Sequence, residues 1–185
     1  RFRPLASTLE NQGFPEIVCL QEAGELTAVV ASLPAVIIEQ YSFFAARRET
    51  VLLLRKGMHG TDLPEEQWRD QLEGSGKQLA WDMKADWEAN LEKTCVVSAH
   101  WGEQPVVVVA AHLKPSDATS AYVVGLRRTL EGFPLVVMGF DANTPGGKQA
   151  AFGKLMLAKF LVHTARPSSQ LTVRKQRTCL QTQLS

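Results

Sequence analysis

Three runs of mostly β-branched or small apolar residues each stop on a side chain of a kind that binds metal or phosphate, and this recurrence constrains the chain more than any other feature. Ile17-Val18-Cys19-Leu20 leads into Gln21-Glu22, Val106 to Ala111 leads into His112, and Leu135 to Phe140 leads into Asp141. Apolar runs of this length, bounded by proline or polar residues, read as buried strands. Strands buried on both faces need a covering layer on each side. The ends of such strands are rigid points from which side chains can be aimed into one crevice.

The remaining periodicities fill in the layers. Leu5 to Gln12 predicts a short helix, and Glu25 to Leu33, with Leu26, Val29, Val30 and Leu33 at helical spacing, predicts another that Pro34 ends. Tyr41 to Ala46 and Thr50 to Arg55 predict two strands joined by the polar turn Arg47-Arg48-Glu49, an antiparallel hairpin. A second hairpin is expected from Thr94 to His100 and Val106 to His112 around Gly102-Glu103-Gln104-Pro105. Helices are expected over Ala118 to Leu130 and Gly147 to Leu157. Gly57 to Asn90 is the most polar stretch, with Trp68, Trp81 and Trp87 among charges and Gly74-Ser75-Gly76 as punctuation, so residues 57–93 are expected to form an insertion or long loops. Hairpins require antiparallel pairing, so the pattern favours an α/β sandwich over a purely parallel doubly wound sheet.

Composition sets outer bounds. The 185 residues suit one domain over 1–185, and 45% hydrophobic with 21% charged residues is ordinary for a globular chain. The longest apolar runs fall well short of the roughly 20 residues a membrane-spanning helix needs. A net charge of +1 creates no global field toward nucleic acid or membrane, so such binding must come from a local cluster such as Arg174, Lys175 and Arg177. That run reads equally as a solvated tail. Cys19, Cys95 and Cys179 are odd in number and flanked by apolar residues. This suits buried thiols in an intracellular, reducing compartment, mitochondrial or cytoplasmic, and argues against a zinc site. The chain opens on Arg1-Phe2-Arg3-Pro4 without methionine and ends after Leu184-Ser185, so truncation at both ends is the expectation.

Taken singly, each strand-end residue has an ordinary explanation. Glu22 alone reads as a solvated loop residue and His112 as a structural one. Asp141-Ala142-Asn143-Thr144-Pro145-Gly146 is a good turn sequence in its own right. Read together they suggest chemistry. Alternation puts Asp141 and Asn143 on one face, and His112 and Lys114 on one face, so each pair is expected to reach the same crevice. A carboxylate such as Glu22 among oxygen donors suits Mg²⁺ or Mn²⁺.

The three runs resemble a known set of motifs. Ile17-Val18-Cys19-Leu20-Gln21-Glu22 is similar to the metal-binding "LQE" strand of the endonuclease/exonuclease/phosphatase superfamily. Val108-Val109-Ala110-Ala111-His112-Leu113-Lys114 resembles its "THLK" strand. Leu135 to Asn143 resembles its "GDFN" strand, with the Asp-x-Asn pair kept and the glycine displaced by one. The resemblance implies a DNase I-like, four-layer α/β/β/α sandwich of two mixed sheets flanked by helices. It implies that Glu22 ligates Mg²⁺ (or Mn²⁺), that Asp141 orients the attacking water, and that His112 contacts the scissile phosphate or the water network. It places Asn143, Lys114 and Arg177 near the substrate phosphate. The family's closing Ser-Asp-His motif is absent from this sequence, and His163, behind Leu161-Val162, reads as structural.

Two functional classes are compatible with these residues. One is a Mg²⁺-dependent phosphodiesterase or nuclease, with RNA degraded 3′ to 5′ as the leading substrate; the other is a catalytically degenerate member serving as a structural or assembly subunit of a ribonucleoprotein complex. Trp68, Trp81 and Trp87 motivate the second if exposed, because Trp is enriched at interfaces, while core packing is their usual fate. A phosphatase acting on inositol phosphates or sphingomyelin head groups has little support in the sequence, and no membrane partner is expected.

Overall fold

The computed structural model describes residues 3–141 and the strand at 160–164. The elements run in the order α1 (Arg3–Asn11), β1 (Ile17–Leu20), α2 (Leu26–Ser32), α3 (Ala35–Gln40), β2 (Tyr41–Ala45), β3 (Val51–Arg55), a 3₁₀ turn (Lys56–Met58), β4 (Thr61–Asp62), α4 (Glu65–Gly76), α5 (Trp81–Glu92), β5 (Thr94–Trp101), β6 (Gln104–His112), α6 (Asp117–Thr129), β7 (Val136–Asp141) and β8 (Phe160–Thr164). Two sheets form, one of order β1-β3-β2 and one of order β4-β5-β6-β7-β8. The first is antiparallel throughout its described strands, and the second is mixed, with β6-β7 and β7-β8 parallel.

Side-chain alternation explains why these strands are apolar on both faces. Val51, Leu52, Leu53 and Leu54 of β3 are all fully buried. Val51 and Leu53 pack with Leu5, Leu9, Val29 and Ile37 of α1, α2 and α3. Leu52 and Leu54 face the other way, onto Val97, Val106, Val108 and Ala110 of the second sheet. In β6, Val107, Val109 and Ala111 lie under Trp68, Leu72, Trp87, Leu91 and Tyr122 of α4, α5 and α6. The result is four layers, helix, sheet, sheet, helix, with apolar contact at each boundary.

The stretch expected as an insertion or long loops holds β4, α4 and α5. Trp68 and Leu72, like Trp87 and Leu91, are spaced i,i+4 and bury one narrow stripe against the second sheet while the rest of each helix stays polar. Trp87 meets Tyr122 edge-on at a centroid distance of 5.1 Å and an interplanar angle of 73°. Gly76 ends α4 where any Cβ would collide with the Trp87 indole. Of the tryptophans weighed as interface residues, Trp68 and Trp87 are therefore core residues, and Trp81 alone is exposed, at 89%. Pro34 ends α2 as expected and also begins α3, since it needs no partner for an N–H at a helix start. The helix expected over Gly147 to Leu157 lies outside the described residues.

The two sheets approach closely where β7 passes β1. Gly139 in β7 faces β1, and a Cβ there would sit 2.5 Å from Cys19 Sγ and 3.0 Å from Cys19 Cβ. The bare backbone lets the β1 strand of one sheet approach the β7 strand of the other. Burial pushes the Cys19 thiol up to about 12, and burial likewise raises Cys95, so both stay protonated and inert. Both are free thiols, as the sequence suggested. Among the described residues no helix is long and apolar enough to cross a membrane.

Candidate active site

Strand parity decides where the polar ends point. In β6, Val106, Val108 and Ala110 face the space between the sheets, so His112 does too. In β7, Val136, Met138 and Phe140 face the helices, which leaves Val137, Gly139 and Asp141 on the inter-sheet side. His112 and Asp141 are register partners across the parallel β6-β7 pair, and the Leu113 N–H donates to the Asp141 carbonyl at 2.8 Å. The two strand ends therefore lie side by side.

Glu22 arrives from the other sheet, two residues beyond β1, with its side chain 75% exposed. Its Oε1 lies 3.9 Å from His112 Nε2, too long for a hydrogen bond. The other ring nitrogen, Nδ1, lies 3.1 Å from Oε2 of Glu49, in the turn between β2 and β3. That carboxylate accepts a hydrogen bond from Nδ1–H, which leaves Nε2 on the Glu22 side. Lys93, just before β5, places its Nζ 2.5 Å from the same Glu49 oxygen. The bond from Lys93, opposed by partial burial and reinforced by the His112 hydrogen bond, holds the Glu49 carboxyl below its ordinary value.

Both glutamates sit in left-handed backbone, Glu22 at φ 53° and Glu49 at φ 57°, a conformation that non-glycine residues adopt at a cost. The two loops are tied together, since the Ala23 N–H donates to the Glu49 carbonyl at 2.9 Å. The end of α5 holds the hairpin from the other side. The Arg48 N–H donates to the Glu92 carbonyl at 2.9 Å, and Thr50 Oγ1 donates to the Lys93 carbonyl at 2.8 Å. The Glu92 carboxylate accepts from Arg69 at 2.6 Å and from Arg47 at 3.5 Å.

Lys114 does not join this group. The strand ends at His112, so the alternation that would have kept the two side chains together lapses. The Lys114 ammonium pairs with Asp86 of α5 at 3.2 Å, and its N–H donates to the buried Asn90 side chain at 2.8 Å. Asn143 and Arg177 lie outside the described residues, as does the side chain of His163. Glu49 and Lys93 carry no mark of their role in the sequence. The available signal is topological, because the starts of β3 and β5 must lie at the same edge as the ends of β1 and β6 to which they are antiparallel. A cleft of about 440 Å³ between α4 and α5, lined by Arg47, Arg69, Lys77, Lys84, Trp87 and Glu92 among others, includes none of Glu22, Glu49, His112 or Asp141.

Among the described residues no group of three or more His, Cys, Asp or Glu side chains is arranged to enclose a metal. A hydrated Mg²⁺ does not require such a cage, being held through one or two carboxylates with waters and substrate oxygens completing its shell. Glu22 fits that role. Its carboxylate is largely exposed and makes no hydrogen bond to His112 at 3.9 Å, so its oxygens are open to a cation and its waters.

This arrangement of layers and strand ends defines an α/β/β/α sandwich with a polar cluster at one edge of the two sheets. It is a DNase I-like fold. The chain is similar to D. rerio TDP2 complexed with a single-strand DNA product, with a TM-score of 0.55 and 16% identity over 84% of this chain and 58% of that one. A humanized D. rerio TDP2 with 14 mutations gives a TM-score of 0.49 and 17% identity over 82% of this chain and 62% of that one. The endonuclease domain of TRAS1, a telomere-specific non-LTR retrotransposon, gives 0.49 and 14% over 82% and 63%. The chain thus spans less than two thirds of the length of each. No protein-family model and no curated protein matches the sequence.

Proposed function

We propose that this chain is a divalent-metal-dependent phosphodiesterase acting on nucleic acid. The observation that carries the reading is the meeting of Glu22, His112 and Asp141 at one edge of the sandwich, each delivered by a different strand end. Glu22 would hold the metal, which when bound polarises a phosphoryl oxygen and offsets the charge of the leaving group. The remaining chemistry belongs to the chain. His112, oriented through Nδ1 by Glu49, presents Nε2 toward the Glu22 side, where it can hold or release a proton on a substrate oxygen. Asp141, beside it in register, is the group to orient an attacking water. A single-stranded polynucleotide is the first substrate to test, since the neighbour with TM-score 0.55 carries a single-strand DNA product. RNA attacked from its 3′ end is the finer reading, resting on the resemblance of the three strand motifs to those of the endonuclease/exonuclease/phosphatase superfamily.

The test is calorimetric Mg²⁺ and Mn²⁺ binding by wild type and Glu22→Gln, paired with hydrolysis of 5′-labelled single-stranded RNA and DNA. Binding and cleavage that both vanish in Glu22→Gln are the expected result; cleavage that survives both Glu22→Gln and Asp141→Asn sinks the proposal. The exposed Trp81 favours the second reading, an assembly subunit with little turnover. That reading predicts absent cleavage together with stable partners in a pull-down that Trp81→Ser releases.

A further inference from the structure

We infer that Lys93 is a positioning residue for the His112–Glu49 pair, an inference that rests on the reading of His112 as part of the active site. Its geometry is a closed ring. The Lys93 carbonyl accepts the His112 main-chain N–H at 3.3 Å, while the Lys93 ammonium holds, at 2.5 Å, the same Glu49 oxygen that His112 Nδ1 meets at 3.1 Å. One residue thus grips the histidine at its backbone and at its ring partner.

The grip acts on the Glu49 side chain, which is held otherwise by His112. Glu49 occupies a hairpin turn in left-handed backbone, its side chain is 43% exposed, and a glutamate has several rotatable bonds to lose on being fixed. Lys93, by contrast, is 16% exposed in its side chain, and its carbonyl is also pinned by the hydroxyl of Thr50, the residue next to Glu49. The ammonium therefore acts from a fixed base. With the Glu49 oxygen held in place, the imidazole has one favoured ring orientation and one favoured tautomer. Without it, the carboxylate is free to swing into solvent and the ring loses its orienting partner.

The experiment is side-chain nitrogen NMR of His112 in the full chain as wild type, Lys93→Met and Lys93→Arg, with melting temperature recorded for each. The wild type is expected to show a single Nδ1–H tautomer with an Nδ1 proton protected from exchange. Lys93→Met is expected to lose that protection and populate both tautomers, and Lys93→Arg to restore the wild-type pattern. Lys93→Leu, which likewise removes the donor and keeps an apolar stem, serves if the Met variant fails to fold. A wild-type His112 pattern in Lys93→Met or Lys93→Leu overturns the inference. Where the wild type cleaves a polynucleotide, Lys93→Met should lower kcat by about tenfold to a hundredfold with KM little changed. Because the NMR signature does not require turnover, an altered tautomer in a chain that cleaves nothing upholds the positioning role while removing the hydrolase reading.

Discussion

Replacing Gly139 by alanine probes how closely the two sheets must approach for the strand ends to meet. The new Cβ would lie 2.5 Å from Cys19 Sγ and 3.0 Å from Cys19 Cβ. Ordinary contact between such atoms is about 3.5–4.0 Å, so β1 must retreat from β7 by roughly 1–1.5 Å or Cys19 must leave its rotamer. Overpacking of this kind costs about 1–3 kcal/mol. For a domain of this size that is a fall in Tm of about 2–12 °C, measured by circular dichroism. The double variant Gly139→Ala with Cys19→Ala removes the sulfur and should recover a large part of the loss, giving a coupling energy of about 0.5–2 kcal/mol in the cycle. Since Glu22 lies just beyond β1, the single variant should also weaken Mg²⁺ binding. An unchanged Tm, or two purely additive substitutions, would refute the claim that this contact sets the spacing of the sheets.

Glu49 should make the fold acid-sensitive. Its carboxyl is depressed by Lys93 and then by His112, so the unfolded state takes up the proton first as pH falls. The stabilisation is complete above about pH 4.3, the ordinary glutamate value, and disappears as pH drops through the folded value. Urea denaturation from pH 6 downward should show wild type converging on Glu49→Gln at the acid end; parallel curves would count against it. Asn90 is fully buried and bridges α5 to the segment after β6 by accepting the Lys114 N–H. Asn90→Leu leaves that donor without its acceptor and should cost about 1–3 kcal/mol in chemical denaturation.

The strands are legible in the sequence because burial on two faces demands long β-branched runs, and β3, β6 and β7 show this plainly. Hairpin turns are legible for a similar reason, since Gly102 adopts φ 64° between β5 and β6. The helices α4 and α5 are not. Each exposes most of its surface and needs only two or three large apolar residues inward, so composition resembles that of loops. At the site, Glu22, His112 and Asp141 stand out as polar breaks at the ends of apolar runs. Glu49 and Lys93 do not, because their partners lie far away in the chain, 63 residues in the case of Glu49 and His112. Lys114 departs from its expected place because alternation holds only as far as the residue where the strand stops.

The C-terminal end of α5 touches more of the polar edge than its distance in sequence implies. Through Glu92 and Lys93 it bonds to Arg48 and Thr50 of one sheet's hairpin and to His112 of the other sheet. Its end is thus a rivet through both sheets at the edge where the polar groups gather. Local opening there cannot release one loop alone, and the amides of Ala23, Arg48 and His112 should exchange with solvent as a single cooperative unit.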